Sequence, residues 1–122
     1  MLPNLEIVQQ NECLHAVYRG ELTLDVVKTL ISEIAKRGDV TGVYTYFVDL
    51  RHAQHRARTV EDYNLAYGGA AQVGLQTNSR TILLTNPEEA EQWGFVETVF
   101  KNAGFAMKVY SDESAALAAV TE

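Results

Sequence analysis

The chain has 122 residues, 47% of them hydrophobic and 21% charged, with a formal net charge of −6 at pH 7. That length fits one domain over 1–122 and is enough to bury a core without metal or disulfide support. The acidic balance argues against general nucleic-acid binding, which needs basic surface, and a lone cysteine, Cys13, excludes an internal disulfide.

At the N-terminus, Met1-Leu2-Pro3-Asn4 lacks the basic-then-apolar pattern of a signal peptide. No apolar run approaches the ~20 residues of a membrane span, so a cytoplasmic location is expected. Leu5-Glu6-Ile7-Val8 and Cys13 through Arg19 read as strands joined by the polar Gln9-Gln10-Asn11-Glu12, which predicts a hairpin. Leu14, Ala16 and Tyr18 alternate with the more polar His15, Val17 and Arg19, as in a strand with one drier face. Thr23 has the hydroxyl to cap a following helix, and Asp25 complements its dipole. Val27, Leu30, Ile31 and Ile34 fall at i, i+3, i+4 and i+7, one apolar stripe. Lys36-Arg37 fill the expected last turn, and Gly38 is the expected left-handed cap. Val43 to Leu50 is a continuous apolar and aromatic run, which suits a central strand covered on both faces.

A basic segment follows, Arg51-His52-Ala53-Gln54-His55-Arg56-Ala57-Arg58, read as a loop. Thr59 with Asp62 then resembles a capping box opening a second helix. Tyr63, Ala66, Tyr67, Ala70 and Gly74 share one face of it. Gly68-Gly69 inside a helix costs on the order of 1 kcal/mol per glycine relative to alanine. The pair therefore implies close packing or a break. Arg80 to Thr85 is the next strand, and Asn86-Pro87-Glu88-Glu89 is a clear helix start. That helix carries Trp93, Val96, Val99, Phe100 and Ala103 and stops at Gly104. Ala106 to Tyr110 is a last strand, and Ser111-Asp112 caps a final helix bearing Ala115, Ala116, Leu117, Ala119 and Val120. The order β-β-α-β-α-β-α-β-α predicts an α/β fold. Its five-stranded sheet is mixed, mostly parallel, with right-handed crossovers and four flanking helices.

With Gly20-Glu21-Leu22-Thr23 before the first helix, Phe47-Val48-Asp49-Leu50 ending the central strand, and the strand-helix-strand unit Arg80 to Tyr110 leading into Ser111-Asp112-Glu113-Ser114-Ala115-Ala116, the chain resembles the STAS superfamily. Within it the chain looks like the bacterial SpoIIAA-like branch. The resemblance spans nearly the whole chain and implies a stand-alone STAS-like domain that works by binding, not catalysis. Signalling members carry an Asp-Ser-Ser/Thr-Gly-like phosphorylation motif after the central strand. Here Arg51 to Thr59 stands in that place, with Thr59 as its one hydroxyl. The resemblance thus implies a regulatory or protein-binding domain without the phosphoserine switch. Because some relatives share a fold with lipid carriers, it also implies an alternative, a carrier or sensor of a small apolar or anionic amphiphilic ligand.

The basic segment would lie at the carboxyl end of a parallel strand, where ligands of open α/β sheets bind. Arg51, His52, His55, Arg56 and Arg58, with the helix start at Thr59, would suit an anion or an acidic partner. The same charges would equally serve a solvated loop paired with Glu61 and Asp62. His52 and His55 have metal-compatible spacing but no third ligand in register, so no metal or cofactor is expected. Tyr63, Tyr67, Trp93, Phe95 and Phe100 would either line an apolar pocket between the second and third helices or simply pack as core. The small residues of the second helix offer a self-association surface, hence a homodimer, as another use. Cys13 reads as a small buried hydrophobe, His15 as a strand residue, and Ser111 and Ser114 as capping residues. No motif specifies an enzyme.

Overall fold

Asn11 and Glu12 alone separate the first two strands in the computed structural model, which describes residues 2–121. Strands β1 (Leu5–Gln10) and β2 (Cys13–Tyr18) pair antiparallel, from Leu5↔Tyr18 to Gln10↔Cys13. Asn11 takes the left-handed conformation (φ 57°), which asparagine tolerates in a turn. After β3 (Gly20–Leu22) come helix α1 (Leu24–Thr41), β4 (Thr45–Leu50) and β5 (Ala53–His55). Then follow α2 (Thr59–Asn64), α3 (Ala70–Gln72), β6 (Arg80–Thr85), α4 (Ala90–Asn102), β7 (Ala106–Tyr110) and α5 (Glu113–Val120). The main sheet has the order β1-β2-β4-β6-β7, parallel except for the opening hairpin, with β4 at its centre. β3 and β5 form a separate two-stranded parallel ladder, Gly20↔Ala53 to Leu22↔His55.

The alternation along β4 sorts the core into two layers. Tyr46, Val48 and Leu50 face the larger one, where Leu30 and Ile34 of α1, Leu65, Ala66 and Ala70 after Thr59, and Val96 and Phe100 of α4 pack. Phe47 faces the opposite side with Ile82, Leu84 and Cys13, covered by Ala116 and Ala119 of α5. Three helical segments thus stack on one face of the sheet and a single short helix on the other. Asp112 Oδ2 accepts from the Ala115 N–H at 3.0 Å to start α5, and the Arg80 guanidinium donates to the Ala119 and Val120 carbonyls at 2.8 and 2.9 Å to close it. Asn86 caps the turn Pro87–Glu89 that leads into α4, accepting from the Glu88 N–H at 3.0 Å. Among the described residues no helix is long and apolar enough to cross a membrane.

Helix α1 begins as its sequence implies, with Thr23 Oγ1 accepting from the Val26 N–H at 3.4 Å, but it ends later. It runs through Gly38 to Thr41, and Gly42 is the left-handed cap (φ 74°), so Lys36 and Arg37 sit inside the helix and not in its last turn. Gly38 serves packing instead. The Tyr46 phenol fills the space where a side chain at 38 would project, and it donates to Gln76 Oε1 at 2.7 Å. Gln76 in turn donates to the Ala35 carbonyl at 2.9 Å. Burial and the nearby Asp39 carboxylate push the Tyr46 phenol up to about 12. A Cβ at position 38 would meet that hydroxyl and sit 3.0 Å from the Val43 carbonyl oxygen. Gly38→Ala is therefore expected to lower stability by about 2 kcal/mol through overpacking, despite the ~1 kcal/mol by which alanine favours a helix. Urea unfolding of this variant alone and with Tyr46→Phe checks it: removing the hydroxyl should restore part of the loss.

Candidate functional site

The β3–β5 ladder turns part of the expected basic loop into a strand, and a strand alternates. Ala53 and His55 point inward and are buried, while Gln54 is exposed. The His55 side chain is only 4% exposed, and its Nε2 lies 2.9 Å from Oδ2 of Asp62, itself buried on α2. The geometry is not that of a directed N–H···O hydrogen bond, so the pair is a close polar contact. The His55 ring also meets the edge of Trp93, centroids 5.1 Å apart and planes at 80°. Among the described residues, His55 Nδ1 and Nε2 and Trp93 Nε1 are buried without a hydrogen-bond partner. On the free edge of β5, the Glu89 carboxylate accepts the His55 backbone N–H at 3.2 Å.

His55, Asp62 and Trp93 are among the residues lining a cavity of about 80 Å³ in the larger core layer. Most of the rest of its wall is apolar, including Leu30 and Ile34 of α1, Val48 and Leu83 of the sheet, and Val96 and Phe100 of α4, with Tyr46 and Thr81 as further polar side chains.

Each arginine of the basic segment has a carboxylate beside it. Arg51 grips Asp49 through two parallel contacts, Nε to Oδ1 at 3.0 Å and Nη2 to Oδ2 at 2.7 Å, and its backbone N–H adds a third at 3.1 Å. Burial pushes the Asp49 carboxyl up, but the donors of Arg51 outweigh it and hold the group below the usual carboxylate range. Arg56 lies 3.5 Å from Glu21 and Arg58 3.5 Å from Glu61, both well exposed. The helix start is shifted by one residue from Thr59/Asp62. Arg58 occupies the cap position, and its N–H donates to Glu61 Oε1 at 2.7 Å. Thr59 is the exposed first residue of α2, His52 is exposed, and Asp62 is left free to meet His55.

The aromatic residues separate as well. On α2 the buried position is Asp62, followed by Leu65 and Ala66 in a wide π-type turn over Leu65–Gly69 and then Ala70. Tyr63 and Tyr67 are offset from that stripe by one position and face outward, 50% and 48% exposed, their rings 4.7 Å apart. They do not line the cavity; Trp93 and Phe100 do. The helical φ/ψ pattern breaks at Tyr67 and Gly68, the break that the glycine pair implied. The small residues Ala66 and Ala70 are buried in the chain's own core, while Gly68 and Gly69 are half-buried and Ala71 is exposed.

No protein-family model matches the sequence, and no curated protein does. Solved structures match it over nearly their full length. An anti-sigma factor antagonist from Mycobacterium paratuberculosis superposes with a TM-score of 0.63 at 13% identity, covering 99% of this chain and 98% of its own. The anti-sigma factor antagonist SpoIIAA in its unphosphorylated form gives 0.55 at 19% identity, covering 96% and 97%. An uncharacterised protein with a SpoIIAA-like fold from Shewanella loihica gives 0.56 at 14%, covering 95% and 91%. The fold is SpoIIAA-like. At these identities the likeness shows architecture alone.

Within this SpoIIAA-like fold, no group of three or more His, Cys, Asp or Glu side chains among the described residues is placed to hold a metal ion. Cys13 is buried, and burial pushes its thiol up, so it stays protonated at neutral pH. His15 lies against Phe47, ring centroids 5.0 Å apart, and burial lowers its pKa. Asp62, Glu89 and the pairing of His55 with Trp93 were not found by sequence reasoning. A signal for Asp62 exists, since 62, 65 and 66 form a helical stripe, but the aspartate is disguised as a cap.

The Asp49–Arg51 pair yields a pH prediction. A carboxyl depressed in the folded state from its ordinary 3.8 adds stability above that value and loses it as pH falls through the lower folded one. Asp49→Asn should therefore cost roughly 1.5 kcal/mol at neutral pH, the range for a hydrogen bond to a charged group. It should also flatten the fall in stability below about pH 4 relative to the parent, as urea unfolding across pH would show.

Proposed function

We propose that this chain is a non-enzymatic regulatory domain, acting in the cytoplasm, that binds a protein partner through the outer face of α2. The observation that carries the reading is the exposed pair Val60 and Tyr63 on α2, with Tyr67 of the following π-type turn against Tyr63, and Val60 55% exposed. Exposed apolar groups gathered on one helix face mark partner surfaces more often than chance placement does. The two tyrosines already lean on each other, so little side-chain freedom is lost on docking.

Arg56 and Arg58 flank this row, each 3.5 Å from its acid and well exposed. Such surface pairs are weak and re-form readily with a partner's carboxylates. The partner surface that fits is an apolar patch edged with acidic groups. Arg51 has a different job, holding Asp49 at the end of β4. Two structures that share the fold bear the name anti-sigma factor antagonist, which supports a role exercised by binding another protein. Thr59 offers an exposed hydroxyl at the head of the same helix, but the reading needs no phosphorylation there.

For a partner captured with the parent protein, Tyr63→Ala/Tyr67→Ala should weaken binding by about 100-fold, the scale of a two-residue hot spot. Arg56→Ala/Arg58→Ala should weaken it by about 10-fold and reduce its salt dependence. Calorimetry on folded variants measures both. Unchanged affinity in the tyrosine variant would remove α2 as the docking face.

A further inference from the structure

We infer that the outer edge of β1 is a pairing surface for a second copy of this chain, joined antiparallel about Ile7. In an antiparallel ladder, residues alternate between turning their N–H and C=O groups to the partner strand and turning them away. Bonds to neighbouring groups fix the phase in β1. The Asn4 carbonyl accepts from the Arg19 N–H at 3.3 Å, so the even-numbered residues face β2. The Leu5 N–H donates to the Leu2 carbonyl at 3.3 Å, and the Ile7 carbonyl accepts from the Arg37 guanidinium at 3.4 Å, both on the other side. The free edge therefore presents the backbone of Leu5, Ile7 and Gln9.

Other strand edges of the fold are sealed. On β7 the Glu97 carboxylate accepts the Val109 N–H at 2.7 Å, and the exposed Lys108 adds a charge. On β5 Glu89 does the same for the His55 N–H. Among the described residues no carboxylate takes an N–H on the outer edge of β1. Arg37 reaches that edge, but through a long, exposed contact to a carbonyl that keeps a second lone pair. The strand has no proline or lysine, and Glu6 is its one charge. Two exposed apolar side chains border the same edge, Val8 of β1, 52% exposed, and Val40, one turn past Arg37 on α1.

The strand is its own complement. With Ile7 opposite Ile7 of the partner, Leu5 and Gln9 exchange backbone bonds and the two isoleucines form a cross-strand apolar pair. Glu6 then lies opposite the partner's Val8 on the other face. The next register one way sets Glu6 against Glu6, like charges directly opposed. The next register the other way leaves Leu5 opposite Asn11, in the turn.

The contact is smaller than a standard interface, so a dimer should build up only at roughly 0.1–1 mM protein. Sedimentation velocity across that range measures it. Val8→Lys, at an exposed position, should keep the fold and weaken association by at least about tenfold. Tyr63→Ala/Tyr67→Ala should leave association unchanged, because the outer face of α2 is no part of this edge. Cross-linking reads the register. Glu6 and the partner's Val8 form the closely spaced, non-hydrogen-bonded kind of pair, which suits a disulfide. Glu6→Cys and Val8→Cys proteins, mixed and oxidised, should join to each other several-fold more than either joins to itself, while Cys13 is buried and stays out of the reaction. A protein that stays monomeric up to about 1 mM would overturn the inference, as would a dimer that Val8→Lys leaves intact. Self-joined products in equal yield would overturn the register about Ile7, and this arm stands even if Val8→Lys fails to fold.

Discussion

The three-residue ladder between Gly20–Leu22 and Ala53–His55 governs everything on the carboxyl side of the central strand. A free loop after β4 would let Arg51 to Arg58 point anywhere, and five cationic or titratable side chains would choose water. Pairing with β3 removes that choice, because successive residues of a strand face opposite ways. Once Leu22 is buried and paired with His55, the imidazole is committed to the core. Gln54 is turned outward by the same geometry, and Glu89 satisfies the backbone donor on the strand's other edge. A histidine so placed must find a polar companion, and α2 supplies Asp62.

That companion is available only because Glu61, one residue earlier, takes over the capping task. The arrangement splits one helical turn between two duties. Glu61 neutralises the orphan N–H at the helix start, and Asp62 turns inward. Rotation by one residue along a helix is about 100°, enough to put Tyr63 on the far side. The buried Asp62–His55 contact and the exposed Tyr63 are thus two consequences of a single helical phase.

Features that depend on neighbours in the chain were readable from residues. The hairpin, the stripe of α1, the Thr23 and Asp112 caps and the Asn86-Pro87 start all rest on contacts within a few residues. So was the element order, and with it the mixed sheet centred on β4. The readings that changed depend on distant partners. Gly38 looks like a cap until Tyr46 is brought over it from β4. His55 looks like a loop cation until β3 pairs with it, and Tyr63 and Tyr67 look like pocket lining until the phase of α2 is set by Asp62, Leu65 and Ala66. Charge pairing was legible in kind, since local acids do neutralise the arginines. Glu61 was legible among the acid partners, but Asp49, Glu21 and Glu113 were not, because they come from three different elements.

The two faces of α2 do different work, with Asp62 on the inner one against His55. Tyr63 and Val60 sit on the outer face of that helix, which is only six residues long before the π-type turn. So short a segment has little internal rigidity of its own and takes its position from what anchors it. Its anchors are the Asp62 contact, the Leu65 and Ala66 packing and the Glu61 cap. A partner docking on Val60 and Tyr63 would therefore meet a surface whose position is set by buried contacts on the opposite side of the same short helix.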